Sequence, residues 1–388
     1  MLLLLSSIAL GQDPAGQDLD GIRAKGLEVA PYVDLGASFT PNVYRTPGNP
    51  KPAAGALLRP GLTLRWQTPE FALNLAGQAA RRQVLFVVGD DVSAWQLSRT
   101  DLNLKGELLL RPDKPLSVVI REQAGRAHTL APSSLAGASG KGLAVRQNTL
   151  TQAGVRYQPG RGALSIALLG RGEVEQHNVT VGPNYLVPTS SITRLSGGGD
   201  LQAKWAFFPR TELVVNGQIE GYAWTGTQLP GWGWRANAGI YGRVNYPLVI
   251  NVAAGFAQLR DGGVTSTTPL DGVTVKVAGI WKPTRTQSLR LAYEKDLEDS
   301  WYAPYLHYHR ASLRYGVAPG KRTQLTSQGS VRWEQARGLA YQDVVVSSSI
   351  KVDYALSQQL SLGAQAGLDW RLQAGWDVPV SAWIRVGW

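Results

Sequence analysis

The sequence predicts an all-β protein, a transmembrane antiparallel up-and-down β-barrel of about 18 strands with short periplasmic turns and longer extracellular loops. Three observations carry that expectation. Apolar and polar residues alternate with period two along most of the chain. Tight Pro-rich turns and longer loops succeed each other between the alternating stretches. The chain ends on an alternating strand whose last residue is aromatic.

Composition narrows the class before any strand is assigned. Of 388 residues, 44 are Gly, 13 Trp and one Met, and only 17% are charged. Mean hydropathy is -0.13, and no run approaches the roughly 20 consecutive apolar residues of a helical span. A chain neither charge-rich nor greasy, yet full of Trp, Tyr and Gly, suits strands with one face in lipid and one in water. The absence of cysteine excludes a disulfide framework, a thiolate metal site and a Cys-linked lipid. A formal net charge of +11 admits nucleic acid, a membrane surface or anionic cargo. The basic residues stand singly rather than in tracts, which argues against nucleic acid as a partner.

Residues 1–11 read as the apolar part of a secretory signal, with Ala9 and Gly11 ahead of a cut before Gln12. The basic n-region is missing, as in a signal truncated at its start. Residues 12–25 then form a short periplasmic tail, too small for a plug domain, and residues 26–388 form the barrel.

The alternation is explicit in the first two strands. Leu27, Val29, Val33, Leu35 and Phe39 are set against Glu28, Asp34 and Ser38; Leu58, Leu62, Leu64 and Trp66 are set against Arg59, Thr63 and Arg65. The same signal predicts strands at about 71–85, 95–110, 116–126, 145–157, 163–175, 194–207, 212–224, 232–246 and 248–259. Further strands follow at about 273–282, 287–296, 303–316, 323–335, 343–356, 360–371 and 378–388. The tight turns include Thr68 to Glu70, Arg111 to Pro115, Gln158 to Gly162, Phe208 to Thr211, Lys282 to Thr286 and Ala318 to Arg322. Looser stretches at about 40–56, 127–144, 176–193 and 260–272 belong on the opposite, outer side.

Aromatics sort by strand end. Trp66, Tyr157, Trp205, Phe207, Tyr246, Trp281, Tyr315 and Tyr354 fall near the tight turns; Phe86, Trp95, Trp224, Trp232, Trp234, Trp301 and Tyr305 fall near the loops. Two belts at two depths are what the two bilayer interfaces select. No strand's outward face reads as unsuited to lipid. In the last strand Val380, Ala382, Ile384, Val386 and Trp388 share one face, a pattern similar to the C-terminal insertion signal that the barrel-assembly machinery reads.

If the apolar face meets lipid, the other faces the lumen. It carries Arg65, Lys105, Arg121, Arg156, Arg235, Arg243, Lys276, Arg290, Arg314, Arg332, Arg371 and Arg385 as candidate pore-lining, substrate-contacting residues. Arg59, Lys204 and Lys351 join them, with Glu107, Asp200, Glu220, Glu294, Glu334, Asp353 and Asp369 interspersed. Two readings stand side by side: polar walls with charges paired between strands, or a net positive channel that concentrates anions between low-dielectric walls.

Catalysis finds little support. The histidines are His128, His177, His307 and His309; His307 and His309 share a face expected toward the interface, where an aromatic role outweighs a ligand role. No Ser–His–acid spacing stands out, and Gly197-Gly198-Gly199 suits relief of crowding better than phosphate binding. No catalytic residue, metal site or cofactor is expected.

Over nearly the whole chain the pattern resembles the Gram-negative outer-membrane β-barrel porin family. The run Gly26-Leu27-Glu28-Val29-Ala30-Pro31-Tyr32 through Thr40 to Tyr44, and the turn-to-strand units Phe208 to Leu213 and Lys321 to Leu325, carry the resemblance. Within that class the Arg-rich lumen is similar to the exopolysaccharide-secretion porins that partner polysaccharide-export lipoproteins. The resemblance implies residence in the cell outer membrane, surrounded by outer-membrane lipid and inserted by the barrel-assembly machinery. It implies export of a hydrophilic, anionic polymer such as a polysaccharide, with a separate periplasmic lipoprotein as partner. The alternatives are a general or anion-preferring diffusion porin for small solutes and a structural or adhesive surface barrel.

Overall fold

A computed structural model describes residues 22–24, 26–42, 51–88, 98–130, 142–160, 163–181, 190–225, 230–245, 247–261, 270–298, 306–336, 342–372 and 375–387. The expected signal and most of the tail, the aromatics Trp95, Tyr246, Trp301 and Tyr305, and Trp388 lie outside the described residues.

Eighteen long strands form one sheet. They are β1 (Leu27–Thr40), β2 (Ala53–Gln67), β3 (Phe71–Val87), β4 (Arg99–Leu110), β5 (Leu116–Leu130), β6 (Gly142–Tyr157), β7 (Leu164–Val181), β8 (Ser190–Phe208) and β9 (Thr211–Trp224). Then follow β10 (Gly231–Asn245), β11 (Leu248–Asp261), β12 (Leu270–Thr284), β13 (Gln287–Glu298), β14 (Leu306–Val317), β15 (Thr323–Ala336), β16 (Gln342–Ala355), β17 (Leu360–Arg371) and β18 (Val380–Gly387). Each pairs antiparallel with its sequence neighbours, and β18 also pairs with β1, so the sheet is closed. Closure leaves no edge whose backbone groups would need water, which is what a sheet inside a bilayer requires.

Two short segments finish the seam. Gly375–Asp377 pairs with the end of β17 and is separated from β18 by Val378-Pro379; Pro379 lacks an N–H, so the ladder is interrupted there. Ile22–Ala24 folds back on Leu27–Val29 through Gly26, whose φ of 83° is left-handed backbone open to glycine. The closing ladder runs only from Tyr32–Gly387 to Phe39–Val380, whereas β1–β2 runs from Leu27–Trp66 to Thr40–Ala53.

Alternation holds residue by residue. In β18, Val380, Ala382, Ile384 and Val386 are exposed on the outer wall while Ser381, Trp383 and Arg385 are buried inside. Leu35, Leu58, Leu168, Ile219, Leu291 and Ile350 share that outer wall. Trp66, Tyr157, Trp205, Trp281 and Tyr354 stand exposed near the short-turn ends, and Phe39, Phe86 and Trp232 near the opposite ends. A closed sheet with an apolar wall between two aromatic belts is a transmembrane barrel of the cell outer membrane.

Three details refine the picture. Trp224 points inward, 7% exposed and 6.2 Å from His177, because it shares parity with the lumenal Glu220 and Tyr222. Glu122 has the parity of the outward Val118 and Ile120 and accepts a 2.7 Å hydrogen bond from the Thr151 hydroxyl, so one stretch of the outer wall is polar after all. Gly198 lies inside β8, where a Cβ would strike the Ile219 carbonyl; it relieves crowding, as expected.

Candidate functional site

The inner face sorts the basic residues by what stands opposite them, and register decides the sorting. At the seam Asp34 is fully buried and accepts two hydrogen bonds from Arg385, 2.7 Å from Nε and 3.1 Å from Nη2. Arg59 approaches the same carboxylate at 3.3 Å. Arg385 stacks over Tyr32 at 4.2 Å, while Arg59 and Lys351 stand 4.8 and 5.5 Å from the Trp383 ring. Tyr32 lies flat on Gly61 and Trp383 flat on Gly363, places where any Cβ would collide with the ring. Both are aromatic rings covering a strand glycine, a device that stiffens sheets.

A second network lines β6 to β9. Arg171 meets Glu173 at 2.6 Å, and Arg194 reaches Glu173 at 3.4 Å and Glu220 at 2.6 Å. Gly198 sits in register between Arg171 and Glu220, leaving space above the sheet for their charges to interact. Glu175 binds both Arg146, at 2.5 Å, and His177, at 2.9 Å. Arg121 pairs with Glu107 at 3.2 Å.

The third network gathers at the loop ends of β13 and β14. The β12–β13 ladder stops at Val275–Lys295 although β12 continues to Leu270. Beyond that point the ends of β13 and β14 lean inward. Leu297, which alternation would send to lipid, is 2% exposed and packs in a cluster with Ala257, Leu259 and Leu270, residues of the inner wall. His307 follows it, its ring against Gly272 on the inner face of β12; the interfacial role expected for the His pair holds for His309, bonded to the Tyr293 hydroxyl at 2.8 Å and 5.2 Å from the Trp333 ring.

Charge fixes the leaning hairpin. Arg235 crosses from β10 to Asp296 at 3.3 Å and donates to the Leu297 carbonyl at 3.0 Å. Lys276 holds Asp296 at 3.0 Å and Glu294 at 2.5 Å. On the far side Arg332 pairs with Glu298 at 2.5 Å and Glu334 at 2.8 Å, under the Tyr308 ring at 4.2 Å. Arg371 bridges Glu334 and Asp343 at 3.1 and 2.5 Å. Glu298 also feels the charge of Arg146, which belongs to β6. Of the looser stretch expected at 127–144, residues 131–141 lie outside the described residues, and 127–130 and 142–144 belong to β5 and β6.

The remaining candidates have no acidic partner among the described residues. Arg65, Lys105, Arg243, Arg290 and Arg314 share the lumenal parity without an ion pair, and Arg156 donates to the Ser117 hydroxyl at 3.2 Å. Apart from Lys105, which is mid-strand, these residues lie toward the short-turn ends of their strands. The paired set Arg235, Lys276, Arg332 and Arg371 lies toward the loop ends. The sequence expectation treated the twelve cations as one set, whereas they divide into those with and those without a carboxylate partner among the described residues. That set also omits Arg310, which faces Glu294 and Arg332 across its two ladders and forms no ion pair among the described residues; its parity with Arg314 was the available signal. Among the described residues no cluster of ligands suits a metal ion.

No protein-family model matches the chain, and no curated protein matches it. Solved structures do. The FrpB iron transporter from Neisseria meningitidis (F3-3 variant) is similar at a TM-score of 0.47 and 7% identity over 90% of this chain. This chain spans 62% of that protein's length. Acinetobacter baumannii OccAB4 is similar at a TM-score of 0.47 and 12% identity, covering 97% of this chain and 100% of its own. Pseudomonas aeruginosa OccK2 (OpdF), solved with glucuronate, is similar at a TM-score of 0.48 and 11% identity, covering 92% and 97%.

Proposed function

We propose that this barrel is a passive outer-membrane diffusion pore for small hydrophilic solutes, with a preference for anions. The observation that carries the reading is the division of the lumenal cations. Arg235, Lys276, Arg332 and Arg371 in the outer half are held by carboxylates, whereas Arg65, Lys105, Arg243, Arg290 and Arg314 have no acidic partner among the described residues. Unpaired charge between low-dielectric walls raises the local concentration of the opposite sign.

The leaning β13–β14 end favours small solutes over a polymer. An eighteen-stranded barrel leaves a wide aqueous channel, and the ion pairs at Asp296 and Glu298 hold the ends of β13 and β14 inward. This weighs against polysaccharide export. The test is solute flux into proteoliposomes. Small sugar acids should enter faster than neutral sugars of equal size, and amino sugars slower; equal rates for all three would contradict anion preference.

A further inference from the structure

Arg290 and Arg314 stand directly opposite each other on adjacent strands, β13 and β14, close enough for their charges to act on each other. Like charges in opposed sheet positions repel, and elsewhere in this lumen such a cost is removed by a carboxylate in the next register position. Here it is not. Arg290 faces Ile280 on β12 and Arg314 faces Gln328 on β15, so neither flanking strand supplies an acid. The next lumenal positions toward the hairpin are Ala278, Ala292, Ser312 and Ser330, in register across the four strands. Two guanidinium forks therefore stand beside a floor of small side chains with hydroxyls, below the Asp296 constriction.

We infer that Arg290 and Arg314 form a discrete binding subsite for a doubly charged oxyanion of the phosphate class, free or as a phosphate monoester. The inference rests on the pore reading and names the solute that pore would retain. A dianion neutralises both guanidinium groups, whereas chloride leaves one uncompensated. Each planar fork needs two acceptor oxygens, which a tetrahedral oxyanion supplies and a halide does not. Gln328 offers an amide beside the pair, and the small floor leaves room for the substituent of a monoester.

The test uses the full chain in planar bilayers, with chloride current recorded as inorganic phosphate is added. Phosphate should reduce the current saturably. R290Q/R314Q should raise the half-blocking concentration by about tenfold or more, the size of one lost charge-assisted contact. The doubly substituted control R81Q/K295Q, which removes the same charge from the outer wall, should leave that concentration within about twofold. Block that is unsaturable, or unchanged in R290Q/R314Q, overturns the subsite while leaving an anion-preferring pore standing. Succinate blocking as strongly as phosphate overturns the phosphate assignment. Absent or cation-selective current overturns the pore reading itself. Where R290Q/R314Q fails to insert, R290K/R314K, which keeps charge and loses the forks, should still weaken the block; an unchanged block there also contradicts the site.

Discussion

Asp34 and Arg385 stand 351 positions apart in the chain and share two hydrogen bonds across the strands that close the barrel. That ladder has only eight residue pairs, so the carboxylate adds a side-chain lock where backbone pairing is sparse. Asp34 is fully buried and also holds Arg59 at 3.3 Å. Removing one member of a buried pair strands the charge of the other, at a cost of about 3–5 kcal/mol. Asp34→Asn should therefore lower the urea midpoint of the detergent-solubilised barrel markedly. Asp353→Asn, which touches Lys351 alone, should lower it less. Equal midpoints for wild type and Asp34→Asn would remove the seam lock from the account.

The lean of β13–β14 depends on Leu297. Leu297→Ala deletes apolar contact with Ala257, Leu259 and Leu270, at about 2–3 kcal/mol, enough to loosen a hairpin otherwise held by ion pairs. Single-channel conductance should rise, and it should rise further in Leu297→Ala combined with Asp296→Asn. Conductance unchanged in both would mean that the hairpin does not limit flow.

Much of the fold was legible in the sequence because the lipid-facing rule acts on every second residue. Leu27 to Phe39 and Val380 to Val386 declare their faces without any partner strand in view. The pairing of lumenal charges was not legible, because it is set by register. Sliding one strand by two residues keeps every face yet gives Arg235 a different neighbour. Leu297 was hidden for a related reason: local alternation assigns it to lipid, and only the early end of the β12–β13 ladder turns it inside. Arg310 could have been found from its parity with Arg314, whereas nothing local marks Glu122 as an exception on the outer wall.

Face assignment is itself open to test. Leu35 is 55% exposed on the outer wall between the two belts, and a cation there costs about 2 kcal/mol or more in lipid. Leu35→Lys should destabilise the barrel in liposomes by that order. Ser330→Lys, on the lumenal face, should be nearly neutral in stability and should shift selectivity instead. Similar losses for both would contradict the inward and outward assignment.

The central claim is that unpaired lumenal cations set the pore's preference, and reversal potential in a potassium chloride gradient tests it most directly. Wild-type current should reverse on the anion side. The preference should weaken between 0.1 and 1 M salt, as the screening length falls from about 10 to about 3 Å. Replacing Arg243, Arg290 and Arg314 together with Gln should move the potential toward zero, whereas Arg332→Gln, which removes the partner of Glu298 and one partner of Glu334, should move it toward the cation side. A wild-type reversal potential at zero or on the cation side, or one that the triple substitution leaves in place, would contradict the account.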